Sequence, residues 1–395
     1  MDIFTGIGFS NDADPELAAQ QAAFIAKSNL KQNRIDLALV FSTIEYHPSK
    51  TLPVLNQILT GAKIVGCSGA GLILPKTIET RGIAVLTIAS DRIVFGSSFI
   101  EKIRPQSSAQ AGMQLAQSAL QDFGHHGRGT FLMLMDSLLP NTTDILKGVQ
   151  QILGNVFPIV GAGSCDDFSF KDSFQFTEKG YANQSAIGLM MGGTISVGSS
   201  ARHGWKPLGK PRTIDEVEGN IIKKIDGKMA SFLYDEFFED EARNLRKERL
   251  GQMSILYPLG VYIEGSQEYL LKNAVDIRPD GSIVCQGTVP VGSEVHIMIG
   301  NKDFCKQAVT LAATEAQEKL LGKQPKFVLV IESMARLKLL GRLAYEELGR
   351  IREIFGSTVP VFGMYSNGEV CPFQTGDRFD KPHLLNESIV ILAIG

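Results

Sequence analysis

Residues 35–41 read IDLALVF and residues 64–71 read IVGCSGAG; further along, residues 130–136 read TFLMLMD and residues 159–164 read IVGAGS. The second set follows the first at a constant distance of 95 positions, Ile35 to Thr130 and Ile64 to Ile159. Apolar runs of this length, closed by glycine, are the pattern of strands buried on both faces. A constant offset between two such sets is the mark of internal repetition.

The flanking segments follow one order in both copies: a helix over 14–29 or 106–123, the apolar strand, a helix over 48–60 or 142–153, a strand ending in Val-Gly, and a last strand over 82–89 or 186–192. A more diverged third copy is predicted from about 295, with helix 302–321, strand 327–332, helix 337–355, strand 359–363 and final strand 388–394. Between the second and third copies, residues 200–300 read as short β segments (219–225, 256–263, 283–289 and 295–299) with one helix over 229–239. Residues 204–212 read GWKPLGKPR. Two prolines and two glycines there argue against a continuous strand, so a domain boundary is expected near 205–220. The expected units are therefore 1–205, holding tandem copies 1–97 and 98–198, and 206–395. The fold class is α/β (α+β): mixed sheets with covering helices, built from internally duplicated strand-helix-strand units.

With 395 residues, 44% apolar and 21% charged, the chain has globular composition and length for two or three domains. No apolar run approaches the roughly 20 residues of a membrane-spanning helix, and no secretory leader is readable, so the expected location is the cytoplasm, with no membrane insertion. The five cysteines, Cys67, Cys165, Cys285, Cys305 and Cys371, show no CxxC spacing and are expected as free thiols. A net charge of −3 without a basic cluster excludes an electrostatic nucleic-acid footprint.

The glycine-rich loops that follow the Val-Gly strands are the candidate ligand site, since irregular segments on a rigid scaffold carry most binding function. The first offers Gly66, Cys67 and Ser68, and the second Gly161, Gly163 and Ser164. The third offers Gly363, Tyr365, Ser366, Asn367, Gly368 and Glu369. Backbone N–H groups beside small hydroxyl or amide side chains can receive a carboxylate, a phosphate or an amino-acid backbone. The alternative for the first two loops is a sharp turn that needs glycine only for sterics. The third adds an aromatic face, an amide and the Glu369 carboxylate, which is suited to an amino group. None of the loops has dinucleotide or P-loop spacing. A hydrolase or transferase using Cys67 or Ser68 as nucleophile is a competing reading that lacks a nameable base. No HxxxH or HxH pair supports a metal site. His203, near the single tryptophan Trp205, is the candidate axial ligand should haem be bound; otherwise no cofactor is expected.

Taken together, the VGCSGAG loop and its echo at 161–164, the GWKPLG run at 204–209, and IDGKMA at 225–230 resemble the FIST sensory family, an N-terminal FIST domain followed by a C-terminal one. FGMYSNGE at 362–369 is the most specific match, close to an FGxYSxGE signature. The resemblance implies a role in signal transduction by binding small molecules, amino acids among them, rather than catalysis. It also implies, as an alternative, a haem-binding nitric oxide sensor acting on a partner histidine kinase. In either case the expected partners are a small-molecule ligand and a separate signalling protein.

Overall fold

The computed structural model describes residues 3–238, 256–263, 268–373 and 380–395. Three six-stranded sheets share one strand order. The first runs Ile3–Ser10, Ile83–Ser90, Leu37–Ser42, Lys63–Ser68; the second Ile93–Ile100, Ala186–Gly193, Arg128–Asp136, Ile159–Ser164; the third Val197–His203, Ser388–Ile394, Phe327–Ser333, Val361–Ser366. In each, the first three strands pair antiparallel and the third and fourth pair parallel. The sheets are mixed, as expected from the sequence.

Each sheet is completed by a hairpin that belongs elsewhere in the chain. Gln175–Thr177 with Gly180–Ala182 closes the first, Glu369–Phe373 with Lys381–Leu385 the second, and Gly71–Ile73 with Ile78–Glu79 the third. The exchange is cyclic, so no sheet is complete without a contribution from another.

Both faces of these sheets are covered, which explains strands without polar alternation. Their inner faces meet in one core, with Leu39, Phe41 and Val65 from the first sheet, Leu132, Leu134 and Val160 from the second, and Leu329, Ile331 and Phe362 from the third. Helix pairs cover the outer faces: Pro15–Leu30 with Pro48–Ile58, Ser108–Phe123 with Thr142–Leu153, and Lys302–Glu318 with Ala344–Phe355. The first helix shows how local sequence sets an end. Pro15 is pre-organised for the first turn, and the Asp14 carboxylate accepts from the N–H groups of Glu16 and Leu17. The alanine stripe Ala18, Ala19, Ala22, Ala23 and Ala26 then buries completely against the strands.

Two sequence expectations are corrected here. Residues 204–212 do not break the sheet: Trp205–Glu218 is one long strand. It pairs with Glu294–Gly300 through Leu208, shifts register between Leu208 and Arg212, and resumes pairing. Pro211 falls in that bulge, where no ladder hydrogen bond is required of it. The third sheet also reaches back further than 295, taking its first strand from Val197–His203. Residues 205–300 therefore lie between that strand and the Lys302–Glu318 helix, and build a fourth sheet of eight strands with its own core around Ile222, Leu259, Ile283 and Ile297. The helix expected over 229–239 is seen as helical residues 232–238, and its far end lies outside the described residues. Among the described residues, no helix is long and apolar enough to cross a membrane, and all five cysteines are free and buried.

Candidate functional site

The three glycine-rich loops meet. Ala70 N–H donates to Tyr365 O at 2.9 Å, Cys165 N–H to Ser68 O at 3.2 Å, and Asn367 N–H to Gly163 O at 2.9 Å, while Gly163 N–H donates to Gly368 O at 2.7 Å. First loop binds third, second binds first, and third binds second. Because each bond links backbone to backbone, the junction is solid packing rather than an open bowl.

Inside the junction most of the predicted site residues are occupied by protein. Gly66, Gly161 and Gly363 lie where a Cβ would overlap the carbonyl oxygens of Val40, Met133 and Val330 on the neighbouring parallel strands, so the residue is required by close approach. Cys67 is fully buried with its Sγ 3.4 Å from Met364 Sδ, and burial pushes its thiol far up. Ser68 Oγ accepts from Phe174 N–H at 3.0 Å. Ser164 Oγ donates to Met135 O at 2.9 Å and accepts from the Gln175 amide. Among the described residues, neither Cys67 nor Ser68 has a histidine, lysine or carboxylate as hydrogen-bond partner. Tyr365 is fully buried, and its hydroxyl is pushed up first by burial and then by Glu332. Glu369 is fully buried too: Oε1 accepts from Ser366 Oγ at 2.7 Å and Oε2 from Ser388 N–H at 3.2 Å. Burial, then the neighbouring Glu387 carboxylate, raises the Glu369 carboxyl well above its ordinary range.

Asn367 is the member of the set that faces a cavity. A cleft of about 430 Å³ opens between the junction and the fourth sheet, with Leu138, Leu139, Pro140, Val275 and Val284 as apolar walls and Asn220, Asn273, Gln286 and Asn367 as amides. The polar groups form a chain: Asn386 Nδ2 donates to Gln286 Oε1 at 2.7 Å, Gln286 Nε2 to Asn367 O at 3.1 Å, and Asn367 Nδ2 to Ser137 Oγ at 3.1 Å. Asn273 Oδ1 is buried without a partner. An apolar cleft with a few convergent polar groups is the usual form of a small-molecule site. A larger groove of about 730 Å³ beside Ser97–Glu101 is shallower and joins no part of the loop junction.

One wall of the cleft is Phe170, presented by the loop that follows Ser164. Both Phe168 and Phe170 have left-handed backbone, φ 73 and 54, a conformation that costs energy for a bulky residue and persists only where the surroundings enforce it. Asp166 enforces it. Its carboxylate accepts from Ser169 Oγ at 2.7 Å and from the N–H groups of Ser169, Phe170, Lys171 and Asp172 at 3.0, 2.8, 2.7 and 3.2 Å. Burial opposes ionisation there, but these bonds outweigh it and hold the Asp166 carboxyl below its ordinary value.

His203 lies elsewhere. Its Nε2 is 3.0 Å from Tyr269 O and its Nδ1 accepts from Trp205 N–H at 3.2 Å. Burial lowers its pKa to about 4, which keeps the imidazole neutral. Both ring nitrogens already have protein partners, so iron ligation would require one of these bonds to break. No cluster of three or more metal-ligating side chains occurs among the described residues.

Three like-ordered sheets, an interposed fourth and a cleft at their seam define a mixed α/β architecture. The chain belongs to the FIST family: the FIST N domain matches residues 36–228 and the FIST C domain residues 230–372. FIST domains are small-ligand-binding domains of signalling proteins. The junction between the two matches falls within the fourth sheet. No protein of curated function matches the sequence. Among solved structures, the chain is similar to a cyanuric acid hydrolase from A. caulinodans at 9% identity, covering 99% of each chain with a TM-score of 0.35. It is also similar to a chorismatase at 8% identity, covering 100% of this chain and 99% of that one with a TM-score of 0.36.

Cleft residues Ser137, Leu138, Leu139, Pro140, Thr142, Phe170, Asn220, Asn273 and Gln286 were not legible as site residues in the sequence. They come from separate segments of the chain that share no motif.

Proposed function

We propose that this protein senses a small polar molecule, an amino acid or a close analogue, bound in the cleft between the loop junction and the fourth sheet. The observation that carries this reading is the convergence of Asn273, Gln286 and Asn367 on an apolar-walled cavity whose Phe170 wall is held in strained backbone by Asp166. Amides that both donate and accept suit a ligand rich in polar groups, while the apolar walls exclude water from them. The cleft touches both the junction of the three sheets and the fourth sheet, so a ligand there can bias their relative packing. Such a change is what a separate signalling partner, a histidine kinase being the kind the family resemblance implies, would read. Binding rather than turnover is proposed because Cys67 and Ser68 are enclosed without a base. No haem is invoked, because His203 is already bonded at both nitrogens.

Calorimetric titration of the full chain with the twenty amino acids, alongside the variant Val275→Trp that fills the cleft, tests this. Binding of at least one amino acid that is abolished by the tryptophan is expected. Binding that survives it, or a Soret band on haemin addition that disappears in His203→Ala, would overturn the reading.

A further inference from the structure

Ile3–Ser10 is the outermost strand of the first sheet, as Ile93–Ile100 and Val197–His203 are of the second and third. An edge strand offers unpaired N–H and C=O groups to any extended chain, and charged side chains are a common guard against such pairing. Two of these edges are guarded in that way. Asp122 accepts from Ser97 N–H at 2.7 Å and pairs with Lys63, while Lys319 donates to Ser199 O at 3.0 Å and Arg202 to Ala201 O at 2.9 Å. On the first sheet the covering helix sends only an uncharged amide: Asn29 Nδ2 donates to Ile7 O at 2.9 Å. That bond also shows which way the strand faces. Bonded residues alternate along an antiparallel pair, so Thr5, Ile7 and Phe9 all turn their backbone groups away from Ile83–Ser90.

A groove of about 560 Å³ runs along this edge from Thr5 to Phe9, a span of ~17 Å. Ile7 and Phe9 line it where they pack against the central core, and Leu74 and Val359 add further apolar surface. Ile25, 41% exposed, reaches the groove from the Pro15–Leu30 helix. That helix can lie so close because Gly6 and Gly8 carry no Cβ, which would overlap Ala26 O or Ala22 O. Cross-strand neighbours point to one face. A strand added here would therefore turn alternate side chains toward Ile7 and Phe9 and the others toward Ile25, so apolar residues suit both its faces. Among the residues lining the groove Lys76 alone is charged; it is exposed and forms no ion pair among the described residues. The groove shares no lining residue with the cleft.

We propose that the Ile3–Ser10 edge is a docking site for an extended segment of another protein, apolar and carrying one carboxylate, which adds a strand to the first sheet. The outward backbone groups of Thr5, Ile7 and Phe9 supply the main-chain bonds, displacing Asn29 from Ile7 O, and Lys76 takes the carboxylate. A second copy docking by the same edge would carry its own 74–77 and 357–360 segments into these, whereas a single strand meets no such obstacle.

The probe is fluorescein-labelled Asp-Val-Thr-Val-Ile-Val-amide, followed by polarisation with the full chain. Two further versions are N-methylated at alternate residues, one on the odd and one on the even set, and a fourth has Lys in place of Asp. Binding of the first peptide is expected, with one methylated version weakened at least tenfold and the other little changed, because an added strand is bonded along one edge only. Ile7→Pro removes an outward N–H at a position where an edge strand tolerates proline, and should weaken binding at least tenfold with the melting temperature retained. Thr5→Pro stands in if that variant fails to fold. Lys76→Glu should reverse the preference between the Asp and Lys peptides. No binding, equal sensitivity to both methylation patterns, or affinity unchanged in the folded proline variants would overturn the docking site. A sedimenting dimer that Ile7→Pro converts to monomer would give the edge to a second copy and overturn the peptide assignment.

Discussion

Glu387 has left-handed backbone at φ 55 and is fully buried, with one carboxyl oxygen accepting from Ser333 Oγ at 2.8 Å and the other without a partner. Burial raises its pKa to about 8, against the modest opposing effect of its hydrogen bonds. The folded state therefore holds a proton that the unfolded chain releases near the ordinary glutamate value of 4.5. Stability from this group is full below that value and is lost as pH rises toward 8, by roughly 1.4 kcal/mol per unit at most. Glu387→Gln, which cannot ionise, should flatten denaturant-measured stability between pH 5 and 8 relative to the wild type. An unchanged slope would show that Glu387 is not protonated. Gly363 makes a second residue-scale case. Its Cβ would overlap Val330 O, which is backbone and cannot swing aside. Gly363→Ala should cost about 2–3 kcal/mol or fail to fold, and a melting temperature within a degree of wild type would refute the close-approach account. The segments after the Val-Gly strands were legible in the sequence as glycine-dependent loops. Whether their glycines serve a ligand or a strand crossing was not, because that depends on which strand lies across from them.

The loop from Asp166 to Asp172 is the element on which the cleft wall depends. Removing its carboxylate leaves several N–H groups without their acceptor and the left-handed Phe168 and Phe170 without their constraint. Asp166→Ala should lower stability by roughly 2–4 kcal/mol, and hydrogen exchange should quicken at 168–172 while the strands keep their protection. Because the folded carboxyl lies below its ordinary value, its stabilisation is present above that value and disappears as pH falls through the folded pKa. The acid limb of stability should therefore be shallower in the variant. At this scale the inner strands and the covering helices of the three sheets were readable, since apolar runs and helix caps are local signals, whereas the edge strands Ile3–Ser10, Ile93–Ile100 and Val197–His203 were not read. Trp205–Glu218 was not: its prolines and glycines say "turn" locally, and only its partner Glu294–Gly300, some eighty positions on, lets it bulge and continue as a strand.

At the scale of the whole molecule, the cyclic exchange of hairpins ties the sheets together. The second sheet is closed by Glu369–Phe373, and the hairpin at Gly71–Glu79 has its partner strand in Val361–Ser366. A fragment of residues 1–196 lacks both partners and should show broad, poorly dispersed amide resonances, whereas the whole chain should unfold its three-sheet body in one calorimetric transition. A well-folded fragment would contradict this coupling. Hairpin exchange is invisible in sequence because the exchanged pairs are short and far apart, and the 95-residue offset linked only the first two strand sets. The same long-range assembly brings Ser137, Phe170, Asn273, Gln286 and Asn367 to one cleft. The location of ligand is thus the central claim, and hydrogen–deuterium exchange of the full chain, with and without whichever amino acid stabilises it in a thermal screen, tests it most directly. Slower exchange at 137–142, 168–172 and 273–287 is the result predicted. Protection confined to 97–122, or to the surroundings of His203, would contradict it.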